Sequence, residues 1–158
     1  MAASYQPAMT DTTAAPAFEG IHNFRDFGGY RTACGGRVRT GRLYRSAHYA
    51  TATDADLDAF AALGMAAIVD LRRPAERTRF PTRRAPDCRA RVISYGQPSE
   101  EVEPPHLGSL AEPGLTTQTI TERMIEVYRD LAHEPGHLQV FADAFAALAE
   151  ADGPIVVH

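Results

Sequence analysis

Two short apolar runs constrain this chain more than anything else in it. Ala66-Ala67-Ile68-Val69-Asp70-Leu71 and Ile155-Val156-Val157 are too short for helices and too continuous for strands with one wet face. Each reads as a strand buried on both sides, as in parallel sheets. Parallel strands need crossover connections, and the sequence between the runs supplies helices. Thr53 with Asp56 makes a capping box, Leu57, Phe60 and Ala61 share the face that follows, and Gly64 suits a left-handed helix end. A second box, Thr119-Ile120-Thr121-Glu122, opens a helix expected to bury Ile120, Met124, Val127, Tyr128 and Leu131. A further helix from Gly136 presents Leu138, Phe141, Phe145 and Leu148 before Gly153 ends it. Arg91 to Tyr95 reads as another strand, and Tyr30 to Ser46 as a hairpin turning at Cys34-Gly35-Gly36. The expected fold class is therefore α/β, a central, mostly parallel sheet flanked by helices.

Residues 1-18, rich in Ala, Thr and Pro without periodicity, read as a flexible tail, and 19-158 as one domain. Gly96 to Leu115 reads as a long surface loop. A composition of 44% hydrophobic and 23% charged residues excludes a wholly disordered chain. The net charge of −4 gives no reason to expect nucleic acid or an anionic membrane as partner. No apolar run approaches the roughly 20 residues of a membrane span. Cys34 and Cys88 form no disulfide framework, and no secretory signal is evident, so the cytoplasm is expected; secretion without a signal peptide stays open.

Asp70 and Arg72 fall at the carboxyl end of a buried strand, the edge where α/β proteins bind ligands. Arg72 offers a guanidinium fork to a phosphate or a carboxylate, and Asp70 either positions that arginine or acts as a general acid. The structural alternative is an ion pair with Glu76 or Asp26. Arg72, Arg73, Arg77, Arg79, Arg83 and Arg84 crowd one segment, as a solvated patch or as an attractor of anionic substrate. His133-Glu134-Pro135-Gly136-His137 matches a zinc-protease string, but Pro135 and Gly136 break the helix that such a site requires. It reads as a link between two helices, so no metal and no cofactor is expected. Cys34 lies in the hairpin turn and Cys88 is followed by no phosphate-cradling glycine loop, so neither is read as a nucleophile.

Three further motifs occur in order. Asn23-Phe24-Arg25-Asp26-Phe27-Gly28-Gly29-Tyr30 is followed by Gly41-Arg42-Leu43-Tyr44-Arg45-Ser46, then by Asp70-Leu71-Arg72 with Glu76 four residues on. Together, over roughly Gly20 to His158, they resemble the bacterial tyrosine phosphatase family with an N-terminal Asn-x-Arg-Asp-x-Gly-Gly box. The resemblance implies a cysteine-phosphatase-like fold and a signature loop His-Cys-x-x-Gly-Lys-Asp-Arg-Thr-Gly, of which only His158 is present. It implies a metal-independent phosphatase with a phosphocysteine intermediate, acting on phosphorylated protein (tyrosine or dual specificity) or on phosphoinositide. The nucleophile is then expected immediately after His158, and the chain is the N-terminal part of a single phosphatase domain without its loop and C-terminal helices. His158 would orient that loop and favour the thiolate, and the loop aspartate is usually taken as the acid. Asn23, Asp26, Gly28, Gly29 and Glu76 are expected to brace the rim, with Arg25 in reach of substrate. The alternative is a non-catalytic module that binds phosphorylated partners.

Overall fold

The computed structural model describes residues 16–96 and 116–158, apart from Ala132 and Glu134. Residues 1–15 of the expected tail and the expected loop after Gly96 lie outside them. Five strands form one sheet: β1 (Arg25–Asp26), β2 (Leu43–Arg45), β3 (Ala67–Asp70), β4 (Arg91–Ser94) and β5 (Ile155–Val157). Their order is β1-β2-β5-β3-β4; β1 runs antiparallel to β2, and the other pairings are parallel. The two apolar runs are neighbours at the middle of the sheet, with Ile68 opposite Val156.

Helices cover both faces, as parallel strands require. On one side, α1 (Asp54–Ala62) packs Leu57 and Phe60 with Ile68, Val156, Ile21 and Tyr49. On the other, Val140 and Ala147 of α4 (Pro135–Glu150) pack with Ala67, Val69, Ile93 and Ile155. The alternation along β3 and β5 distributes successive side chains between these two cores. α2 (Pro74–Arg79) follows β3, and α3 (Thr117–Leu131) precedes α4.

The α1 capping box is present: the Thr53 hydroxyl accepts from the Asp56 amide and the Asp56 carboxylate accepts from the Thr53 amide. Asp56 also accepts from the amides of Glu19 and Gly20 at 2.8 and 2.7 Å. Burial pushes this carboxyl up, yet the backbone donors prevail and hold it down to about 2. Gly64, after the cap residue Leu63, has φ +62 as expected.

Several expectations are corrected. Ala61 faces solvent rather than the core. Phe18, read as the end of the tail, packs on Phe24 at 4.8 Å. The expected turn at Cys34-Gly35-Gly36 is present, held by backbone bonds of Thr32 with Gly36 and of Val38 with Tyr30 and Gly29 and by a bridge between Arg31 and Arg37. The hairpin stops there; Leu43 to Arg45 pair instead with β1 and β5. α3 begins two residues earlier than its expected cap, because the Thr116 hydroxyl takes the Thr119 amide. Its Tyr128 is 68% exposed, and so, in α4, are Leu138 and Phe145, at 50% and 72%. α4 begins at Pro135, one residue before the expected Gly136, so the proline that breaks the zinc-like string opens this helix.

Candidate functional site

Because β2, β5, β3 and β4 are parallel, their carboxyl ends share one rim, and β1 begins there. The rim therefore gathers Arg25, Arg45, His158, Asp70 and Arg72 from distant parts of the sequence.

Asp70 and Arg72 are a closed unit. Arg72 donates Nε to Asp70 Oδ1 at 2.9 Å and Nη2 to Oδ2 at 2.7 Å, and its backbone amide reaches Oδ1 at 3.0 Å. The same guanidinium donates to the Phe80 carbonyl and the Thr82 hydroxyl. Four of its five N–H groups thus have protein acceptors. Burial pushes the Asp70 carboxyl up, but the Arg72 hydrogen bonds outweigh it and leave it below the usual carboxylate range. A carboxylate held ionised has no proton to give near neutral pH, so the geometry favours bracing of Arg72 over the general-acid option. The ion pair forms within the motif; Glu76 caps α2 by accepting from the Arg73 amide, and Asp26 lies elsewhere on the rim.

His158 continues β5. Its backbone donates to Val69 and accepts from Leu71, which fixes the end of the strand. The ring is fully buried, 4.6 Å from Tyr49, with Nε2 3.8 Å from Asp70 Oδ2, too far for a hydrogen bond. Burial pushes the imidazole down to about 4 against the pull of Asp70, so it is neutral at pH 7. Its ring nitrogens have no hydrogen-bond partner among the described residues. Tyr49 is also buried, and desolvation pushes its phenol up, so the hydroxyl keeps its proton; Ser46 donates to it at 2.9 Å.

The box at residues 23 to 29 is built around Asp26. One carboxylate oxygen accepts from the Gly28 amide at 2.7 Å and the other from Gly41 at 2.5 Å, tying β1 to the turn before β2. Gly28 lies against the backbone of the returning segment, and a Cβ there would sit 2.4 Å from Thr40 Cα and 2.5 Å from the Arg39 carbonyl oxygen. Gly29 has φ +86. Gly28→Ala should therefore cost about 1–3 kcal/mol through overpacking against backbone. Urea denaturation checks this, and an unchanged midpoint would show that the turn relaxes freely. Asn23 has φ +58, and its side-chain carbonyl accepts from Arg25.

Beside the rim opens a cavity of about 310 Å³ lined by Arg72, His158 and His137, with Met124, Val127 and Tyr128 of α3 as an apolar wall. His137, from the zinc-protease string, is not among the expected site residues. It is buried and stacks on Tyr95 at 5.1 Å. Gly136 makes room for this, since a Cβ there would overlap the Tyr95 ring at 1.7 Å. His133 is exposed at the far end of the link, bonded to the Arg129 carbonyl, so the two histidines share no helix. Glu134 lies outside the described residues. Part of the arginine-rich segment is spent on internal contacts. Arg77 binds the carbonyls of Tyr95 and Gly96, and Arg83 binds the Ala52 carbonyl and Asp54.

Comparison with known proteins agrees with this architecture. A sequence model of the family described as "Tyrosine phosphatase family" matches residues 16–158. A Cupriavidus necator protein named "Putative tyrosine-protein phosphatase" is 40% identical over 122 residues, covering 72% of this chain and 41% of that protein. The chain thus spans less than half the length of this relative.

Proposed function

The chain belongs to the tyrosine phosphatase family, and we propose that it is the rim-forming part of a cysteine-dependent phosphatase acting on phosphorylated tyrosine in proteins. The observation that carries this reading is the rim itself: a central strand ending in a buried histidine, beside a braced Asp70–Arg72 pair and an open cavity.

In this reading the nucleophile is the cysteine of the signature loop that the family sets directly after the strand's histidine. His158 is a positioning residue: its buried ring packs on Tyr49, and its free ring N–H is available to the backbone of that loop. Asp70 holds Arg72, and Arg72 with Thr82 and the Phe80 carbonyl fixes the wall facing the phosphate, to which one guanidinium N–H is left to donate. Arg25 stands on the same rim for the substrate, and Asp26, Gly28 and Gly29 hold its strand in place, while Asn23 steadies the guanidinium and Glu76 caps α2. A thiolate attacks phosphorus, the P–O bond to the tyrosyl oxygen breaks, and an acid of the loop protonates that oxygen. Water then cleaves the P–S bond and releases phosphate. Backbone N–H groups and the loop arginine carry the phosphate charge, so no metal is needed. Dual-specificity and phosphoinositide substrates belong to the same chemistry. The cytoplasm is the compartment this thiolate suits.

The full-length protein should hydrolyse p-nitrophenyl phosphate at a rate unchanged by EDTA. Acid quenching during turnover should leave phosphate on a cysteine, read by mass spectrometry. Activity lost on chelation and restored by zinc would overturn the reading, and a protein that binds phosphopeptide without turnover would be the non-catalytic module instead.

A further inference from the structure

Two arginines face each other across β1 and β2. Arg25 and Arg45 are register partners, both exposed, and directly opposed like charges weaken a strand pair. The nearest carboxylate in sequence does not relieve them. Asp26 alternates to the other face, opposite Tyr44, and both its oxygens are taken by the amides of Gly28 and Gly41. Neither arginine forms an ion pair with a described residue. A second feature converges here: among described non-glycine residues only Asn23 has a positive φ, and its side chain is spent on holding the Arg25 guanidinium.

The position matters as much as the charge. Arg45 is the register partner of Val157, the last residue of β5. Adjacent strands lie about 4.8 Å apart, so the pair stands roughly 5–10 Å along the rim from the end of the central strand. In an extended peptide, alternate side chains on one side are about 7 Å apart. Resting on the peptide-phosphatase reading above, we propose that Arg25 and Arg45 form a second anion subsite. It takes the carboxylate or phosphate of a residue about two places from the phosphotyrosine of an extended peptide substrate. The paired guanidiniums supply the forked donors that such a group accepts.

The test uses the full-length protein and two tyrosine-phosphorylated peptides that differ only in carrying Glu or Gln two residues to either side. The wild type should favour the acidic peptide about fivefold in kcat/KM at low salt, and less as salt rises. Arg45→Gln should bring the ratio near one, Arg45→Glu should invert it, and Arg45→Lys should keep most of it. Urea midpoints for each variant verify folding. Equal ratios in the wild type and Arg45→Gln would overturn the subsite. So would a preference seen only with a soluble inositol bisphosphate. If p-nitrophenyl phosphate is not turned over at all, the phosphatase reading falls. The subsite is then judged by the affinities of the same two peptides, where the wild-type preference must again vanish in Arg45→Gln.

Discussion

Arg72→Ala should destabilise the fold by about 3–5 kcal/mol at pH 7, the cost of leaving one member of a buried ion pair uncompensated. Both partners qualify: the Arg72 and Asp70 side chains are 11% and 6% exposed. The loss has two parts. Asp70 would keep its burial but lose both guanidinium hydrogen bonds, and the Phe80 carbonyl and Thr82 hydroxyl would lose a common donor. Adding Asp70→Asn to Arg72→Ala should recover part of the loss, because no buried charge is then stranded. Urea denaturation of the single and double variants measures both effects. The competing expectation is that Arg72 spends its fork on substrate phosphate. An Arg72→Ala protein of unchanged stability but with kcat/KM reduced more than a hundredfold would establish that and remove the bracing argument.

The central sheet was legible because its signals are local. Ala67 to Asp70 and Ile155 to Val157 could only be buried strands, and Thr53 with Asp56 marked the start of α1 by side-chain chemistry alone. The phase of α4 was not legible. That segment carries apolar residues all round, and weighting the large ones selects Leu138 and Phe145. The sheet instead takes Val140 and Ala147, because small side chains let the helix lie close to β3. β1, two residues long, is below what periodicity can detect, so the opposition of Arg25 and Arg45 was hidden.

The candidate site divides in the same way. Asp70 and Arg72, two residues apart at a strand end, announced a pair. The Phe80 carbonyl that accepts from Arg72 leaves no trace in the sequence, since any residue could provide it. His137 did leave one: a polar residue three before Val140 and ten before Ala147, on their buried stripe. The zinc-like string drew attention to its neighbours instead.

His158 should make the fold acid-sensitive well above the carboxylate range. Its folded pKa is held down to about 4 by burial, against 6.5 ordinarily. Between these values the unfolded chain binds a proton that the folded one refuses, so stability rises with pH across the interval. The contribution is fully present above pH 6.5 and is lost as pH falls toward 4. At about 1.4 kcal/mol per unit this amounts to about 3 kcal/mol. Asp70 does not blur the window, because its lowered pKa places its own loss below its ordinary value of 3.8. Urea unfolding at intervals from pH 4.5 to 7.5 should show the slope, and His158→Asn should flatten most of it. An equal slope in that variant would assign the acid sensitivity to another group. Under the cysteine-phosphatase reading proposed above, the same depression limits His158. A neutral imidazole at pH 7 would not stabilise a neighbouring thiolate by charge, so on that reading its help is confined to hydrogen bonding and to the rigidity that Tyr49 and Val69 give it. The positive field that such a thiol would need then falls to arginine and to backbone amides at the rim.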